Sequence, residues 1–248
     1  MDPNNDSQRR VILVTGAARG QGLAIVRKLV ADHDVVACDV LAAELGESMA
    51  EFPAEHVLIQ QLEVSSPESW SSALSAVTAR FGRLDGLVNN AGILYRASIE
   101  DDSPADFERA WRVNCLGPFL GIQACLPLLK MSSAAAIVNT VSSAGMRPFP
   151  NHIGYSTSKW GLRGLSLSAA VELGELGIRV NSVMPGPIAT PMHDAETTKR
   201  LAASPLLGRP GQADEIAETV AFLLSPASSF TVGAEVLVDG GQLLRMHT

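Results

Sequence analysis

The chain has 248 residues, 46% of them hydrophobic, and 19 basic against 26 acidic residues leave a formal charge of −7. That length suits one large α/β domain, able to bury roughly three-quarters of the surface its unfolded form exposes. The acidic balance, with no basic cluster to offset it, argues against nucleic-acid binding, and no apolar run is expected to span a bilayer.

Residues 1–10 (MDPNNDSQRR) are polar, lack the apolar core of a secretion signal and are expected to fray. The first strand is read at 11–15 (VILVT), a β-branched run of the kind buried on both faces in a parallel sheet. It runs into Gly16, Ala17, Ala18, Arg19, Gly20, Gln21 and Gly22, after which Leu23, Ala24, Val26, Leu29 and Val30 recur at helical spacing. A strand, a glycine turn and a helix start make an anion site. Glycines let a pyrophosphate approach the backbone, and the first-turn N–H groups point at it.

A second apolar strand at 34–38 (DVVAC) leads to Asp39, 23 residues after Gly16, where a carboxylate meets the adenosine ribose hydroxyls. A 2′-phosphate set against that carboxylate would bring like charges together. The Arg19 guanidinium could pair such a phosphate, but it can also swing into solvent, so Asp39 is expected to decide for NAD over NADP.

Further strands are read from near His56, Leu84, Ala135, Ile178 and Glu235, with long helical stretches at 67–81, 104–130 and 153–176. This alternation predicts a single doubly wound parallel sheet of Rossmann type with helices on both faces. Short loops after the strands place the glycine turn, Asp39, Asn90, Ser142 and Pro185 along one sheet edge, where such folds bind ligands.

Thirteen residues after Ser142 comes YSTSK, with Tyr155 and Lys159 one helical turn apart. A phenol exchanges protons usefully near neutrality only if its pKa falls from about 10. A lysine at i+4 shares its helix face and favours the phenolate. A shift of roughly three units needs about 4 kcal/mol, at ~1.4 kcal/mol per unit, so a second positive centre is expected to help. The other tyrosine, Tyr95, has Ile99 at i+4 and no such partner.

The helix carrying Tyr155 has two apolar stripes. Leu162, Ala169 and Leu173 are expected on the sheet, while Ile153, Trp160, Gly164, Leu167 and Val171 fall on the opposite side. The second stripe predicts another helix against it, from a second subunit in preference to this chain. Cys38, Cys115 and Cys125 lack metal-type spacing and read as buried thiols in a reducing, cytoplasmic setting. His152 falls to a substrate pocket or to the surface, and nothing in the sequence requires a metal.

Taken together these residues resemble the classical short-chain dehydrogenase/reductase family over nearly the whole chain. Thr15-Gly16-x3-Gly20-x-Gly22 is similar to its cofactor loop, Asn89-Asn90-Ala91-Gly92 to its NNAG, and Val238-Asp239-Gly240-Gly241 to its C-terminal signature. The stretch 155–192 looks most like bacterial hydroxysteroid dehydrogenases. The resemblance implies a catalytic tetrad of Asn114, Ser142, Tyr155 and Lys159. Tyr155 would be the acid/base, and Lys159 would lower its pKa and hold the nicotinamide ribose. Ser142 would hold the substrate oxygen, and Asn114 would hold a water that links Lys159 to solvent.

The implied cofactor set is Gly16, Arg19, Gln21, Gly22, Asp39, Glu63, Val64, Asn90, Ala91, Gly92, Tyr155, Lys159, Pro185, Gly186, Ile188 and Thr190. Two positions depart from the family pattern: Glu63 stands where it usually has aspartate, and Val232 where threonine is frequent. The family also implies a homotetramer and a mobile substrate loop at 187–207. The expected activity is NAD-dependent interconversion of a secondary alcohol and a ketone. Ala144, Met146, Pro148, Phe149, Ala189, Pro191, Met192, Leu201, Pro205, Leu206 and Leu207 predict an apolar lining for an alicyclic or steroid-like substrate, or else simply pack the lid. The rival readings are an NADPH-dependent 3-oxoacyl or polyketide carbonyl reductase and a non-catalytic dinucleotide sensor. Enoyl reduction is disfavoured, because that branch spaces its tyrosine and lysine further apart.

Overall fold

The computed structural model describes residues 9–190 and 204–245. The first β-branched run forms β1 (Arg10–Thr15), enclosed from Val11 onward. Its side chains alternate between two cores, which is why the run carries no polar face. Ile12 and Val14 join one core, with Ile25, Val35, Val220 and Leu224, while Val11 and Leu13 join the other, with Trp70, Leu87, Ile122 and Leu173.

On one side of β1 lie β2 (His33–Asp39) and then β3 (Val57–Gln61). On the other side come β4 (Gly86–Asn89), β5 (Ala136–Thr140) and β6 (Arg179–Pro185). Two short strands, β7 (Ile188–Ala189) and β8 (Gly211–Gln212), pair outside the sheet, and β9 (Glu235–Val238) completes its far edge. All seven sheet strands run parallel. The chain builds outward from β1 to β3, then returns to β4 on the opposite flank. The loops after β1 and β4 therefore diverge, and the crevice between them is where this topology receives a ligand.

Helices α1 (Gly20–Leu29), α2 (Ala42–Met49), α3 (Pro67–Phe81), α4 (Pro104–Trp111), α5 (Gly117–Leu129), α6 (Ile153–Gly174) and α7 (Ala213–Leu224) cover the two faces. The bounds of α3 are fixed by local chemistry. The Ser66 hydroxyl accepts the Ser69 N–H, Pro67 opens the helix, and Gly82 ends it in the left-handed region at φ 66°.

Three expectations need amending. Residues 1–8 of the expected frayed tail lie outside the described residues, but Arg9 and Arg10 are held: Arg9 donates to the carbonyls of Ala31 and His33, and Arg10 to those of Ala134 and Leu224. Arginine at a strand start supplies donors to orphaned helix-end carbonyls, so its charge does not make the segment a loose one. The helical stretch 104–130 is interrupted by a π-helical turn, Arg112–Leu116, between α4 and α5. Taken as one run, Pro104–Leu129 is also 26 residues long and holds an 18-residue window with a mean hydropathy of 1.2, enough by length and composition to cross a membrane. Here Ile122, Cys125 and Leu129 of that run are buried in the domain core.

In α6, Leu162 and Leu173 are buried as expected, and Ala169 packs partly against the core. The opposite stripe is exposed, Trp160 at 45% and Val171 at 74%. The neighbouring α4 packs one step away. A Cβ on Gly161 would lie 2.6 Å from the Trp111 ring, whereas nothing approaches Gly164 within 4 Å. Packing within the described residues thus leaves the Gly164 stripe open.

Candidate active site

A cavity of about 940 Å³ opens along the C-terminal edge of the sheet. The β1 turn forms its floor. Gly16 and Gly20 adopt φ of +67° and +58°, and a Cβ on Gly22 would fall 1.9 Å from the Gly16 carbonyl oxygen, so α1 seats directly on the turn. Thr15 locks this arrangement. Its Oγ1 accepts the N–H groups of Asn90 and Ala91, both at 3.0 Å, and the Asn90 amide donates back to the carbonyls of Thr15 and Gly16. Asn90 is therefore a clamp between the loops after β1 and β4. Thr15 escaped the site expectations, although its place before Gly16 was legible.

Asp39 ends β2 in the cavity wall. One of its oxygens accepts the Ala18 N–H at 3.0 Å and the other the Leu41 N–H at 3.1 Å, which orients the carboxylate and leaves lone pairs for a ligand. Arg19 leans the other way, 3.5 Å from Glu44. Glu63 also lines the cavity, but its carboxylate accepts from the Ser65 backbone and hydroxyl, and Val64 packs beside Gly117. Pro185, Gly186, Ile188 and Thr190 line the far wall. Gly186 is obligatory there, since a Cβ would meet Asp239 at 2.6 Å. Asp239 in turn accepts the N–H groups of Gly241 and Leu243, which closes the turn after β9.

Two buried polar atoms among the described residues have no partner and belong to cavity-lining residues: Gln21 Oε1 at the turn and Thr140 Oγ1 at the end of β5. Together with the glycine turn and the Asp39 carboxylate, they fit an elongated ligand carrying phosphates at one end and hydrogen-bonding groups along its length.

The other end of the cavity holds Ser142, Tyr155 and Lys159. Lys159 is buried, and its Nζ donates to the Thr140 carbonyl at 2.9 Å and sits 5.9 Å from the centre of the Tyr155 ring. Burial pulls this ammonium down to about pKa 8. Burial also pushes the Tyr155 phenol above its ordinary value, and the facing Ser142 hydroxyl only partly offsets that. The expected depression of the phenol by Lys159 is thus absent from the protein's own groups. Desolvation outweighs an ammonium that is aimed at a carbonyl. Tyr95 is no rival acid/base. Its hydroxyl donates to both Asp102 oxygens, and burial and that carboxylate push it up to about 12.

Asn114 lies in the π turn, a feature that re-aims single side chains. Its amide group donates to the Ile93 carbonyl at 2.9 Å and the Ser158 hydroxyl at 3.0 Å, and its oxygen accepts the Ile93 N–H. Both amide hydrogens are spent, so any water held by this side chain must use the remaining lone pair of Oδ1. A Cβ on Gly92 would stand 3.1 Å from that oxygen and 3.5 Å from Lys159 Nζ, so the backbone passes close to both.

The substrate end is largely apolar, but only some of the expected residues line it. Ala144, Phe149 and His152 line the cavity, but Met146 packs with Leu162 and Met184, and Pro148 faces a neighbouring groove. Ala189 is not in the lining, and Leu206 and Leu207 are exposed and lean on Gly241 and Gly240 beside the buried Pro205. Pro191, Met192, Leu201 and most of the loop expected at 187–207 lie outside the described residues. Ile93, Leu94, Val113 and Val141 add apolar lining that was not among the expected residues, and Arg96, Arg109, Arg147 and Arg245 line the cavity as well. No periodicity marks these arginines as a group, because they come from separate segments, Arg109 from α4 and the others from outside the helices α1–α7.

A family model described as "Enoyl-(Acyl carrier protein) reductase" matches residues 16–242. The chain is 39% identical over 243 residues to trans-4-hydroxycyclohexanecarboxylate dehydrogenase of Sinomonas cyclohexanicum, covering 94% of this chain and 92% of that one. It is 38% identical over 232 residues to 3-alpha-(or 20-beta)-hydroxysteroid dehydrogenase of Mycobacterium bovis, covering 94% and 88%. The crystal structure of levodione reductase superposes with a TM-score of 0.89 at 34% identity, covering 96% of this chain and 98% of that one. With the parallel sheet and the glycine-floored cavity, these likenesses place the chain in the short-chain dehydrogenase/reductase family, whose members are oxidoreductases using nicotinamide dinucleotides.

Proposed function

We propose that this protein interconverts a cyclic secondary alcohol and its ketone, with NAD as the hydride carrier. The supporting observation is that Ser142, Tyr155 and Lys159 meet at one end of a cavity whose other end is the glycine turn and Asp39. When bound, the nicotinamide exchanges a hydride with the alcohol carbon and, in its oxidised form, adds a positive charge to the site. Tyr155 takes the hydroxyl proton in oxidation and returns it in reduction. Ser142 holds the same oxygen within reach of the phenol. Lys159 keeps its charge below about pH 8 and has donors left, beyond the Thr140 bond, for ribose hydroxyls. Asn114 holds the Ile93 segment and α6 together and so fixes the position of Lys159.

NAD is preferred over NADP because the Asp39 carboxylate would face a 2′-phosphate while Arg19 is drawn towards Glu44. A cyclic substrate is supported by the relatives named for a hydroxycyclohexane carboxylate and for hydroxysteroids. The i+4 spacing of Tyr155 and Lys159 favours carbonyl over enoyl reduction, and the presence of the whole tetrad weighs against a sensor. The open stripe of Trp160, Gly164 and Val171 is read as a subunit face of a homotetramer, and the buried free thiols as suited to the cytoplasm. Incubation with cyclohexanols and steroid alcohols, each with NAD and with NADP, tests the reading by the absorbance of reduced nicotinamide. NAD-linked oxidation of a cyclic alcohol supports it. Turnover confined to acyl thioesters with NADPH would overturn it.

A further inference from the structure

The whole chain carries a charge of −7, yet the cavity wall around the substrate end is basic. Four arginines line it away from the glycine turn, namely Arg96, Arg109, Arg147 and Arg245, against Asp106, whose carboxylate accepts from the Ser103 hydroxyl at the start of α4. The other two acidic lining residues are on the opposite flank of the sheet, Asp39 at the end of β2 and Glu63 after β3.

Two of the arginines bond residues that neighbour the tetrad. Arg147 follows Ser142 by five residues on the same loop, and its backbone N–H bonds the Ser143 carbonyl at 3.0 Å. Arg96 donates through Nε to His152 Nε2 at 3.3 Å, and the His152 ring stands edge-on to Tyr155 with centres 6.4 Å apart. Among the described residues neither guanidinium forms an ion pair with a carboxylate. The terminal nitrogens of a guanidinium form a fork suited to carboxylate, sulfonate or phosphate. Two such forks in the wall of the cavity that holds the reacting residues, without carboxylate ion pairs among the described residues, are a feature that a site for purely hydrophobic alcohols does not need.

We infer that the substrate is an anionic alcohol, a cyclic hydroxy acid whose carboxylate is held by Arg96 and Arg147 while its carbinol faces Ser142 and Tyr155. The inference rests on the dehydrogenase reading for the carbinol, but the anion contact stands on its own. Phe149 and Ala144 supply the apolar wall for the ring between the two ends. The contact lies in a partly open cleft, so part of its effect is long-range attraction that salt screens.

The test compares 4-hydroxycyclohexanecarboxylate with its methyl ester, a neutral analogue of nearly the same shape. The expected kcat/KM ratio of acid to ester is above one, falls about tenfold in Arg147→Gln and in Arg96→Gln, and falls with added salt, while Arg147→Lys keeps part of it. A ratio that neither substitution moves would overturn the inference and leave the dehydrogenase reading intact. Calorimetric titration of cyclohexanecarboxylate, which has no hydroxyl to oxidise, separates the two. Binding that weakens about tenfold in both Gln variants supports the anion site even if no alcohol turns over. Binding that is absent or indifferent to both arginines refutes it.

Discussion

The Lys159 ammonium donates to the Thr140 carbonyl at 2.9 Å, so the cation beside Tyr155 is anchored to the last residue of β5, two residues before Ser142. The helix turn sets Tyr155 against Lys159, and this bond sets α6 against the strand end from which Ser142 projects. Sheet, helix and loop therefore position the three groups together. The cost is a buried ammonium.

That cost is measurable. In the free protein the Lys159 amine is expected to titrate at about pH 8, read by nitrogen NMR of labelled lysine and assigned with a Lys159→Met variant. Its folded pKa lies below the ordinary lysine value, so between the two the unfolded chain binds more protons and this group's contribution to stability rises with pH. A midpoint in the ordinary lysine range would contradict the assigned burial.

Asp85 works in the opposite sense. Burial alone would raise its pKa, but the Arg83 guanidinium, the Ser132 hydroxyl and the Val11 N–H together hold the carboxylate below its usual range. A depressed carboxylate stabilises the fold above the ordinary carboxylate pKa and loses that contribution as pH falls through its folded value. Asp85→Asn is expected to cost about 1.5–3 kcal/mol at neutral pH. It should also flatten the acid limb of stability measured by urea unfolding. An acid limb as steep as that of the parent would refute this role.

Removing the Asp39 carboxylate tests the cofactor assignment. Asp39→Ala is expected to narrow the NAD over NADP preference about tenfold or more, since a like-charge conflict of ~1.4 kcal/mol already amounts to that. Steady-state constants for both cofactors decide it, and an unchanged ratio would show that the choice is made elsewhere.

Thr15→Val keeps the shape of the side chain and deletes its oxygen. The Asn90 and Ala91 N–H groups then lose their acceptor, at a cost of about 1–3 kcal/mol for each buried donor left unmet. With the clamp on Gly16 loosened, NADH affinity should fall together with the melting temperature. A lower melting temperature with unchanged affinity would separate the clamp from the cofactor floor.

Much of this was legible in the sequence where a local rule acts alone. The glycine turn, the Asp39 strand end and the i+4 pair of Tyr155 and Lys159 each follow from spacing, and α3 announced both its ends through Ser66, Pro67 and Gly82. What escaped were features made by long-range contact. The π turn at Arg112–Leu116 is only five residues long, too short for hydrophobic patterning to resolve. The buried chain from Asn89 to Asn139 to Ser166 joins β4, β5 and α6 through residues far apart in sequence. Lys159 was expected, with a second positive centre, to lower the Tyr155 pKa, but among the protein's own groups desolvation raises it and the ammonium is turned to the Thr140 carbonyl. The rim arginines passed unremarked, because the segments that carry them meet only in the folded chain.

The central claim is that the Tyr155 hydroxyl moves the substrate proton. A single-turnover measurement of NADH formation from a cyclic alcohol, comparing the parent with Tyr155→Phe, tests it most directly. The account predicts a loss of about 10²–10⁴-fold in the hydride step with NADH binding little changed. A variant that reduces NAD at the parental rate would contradict it.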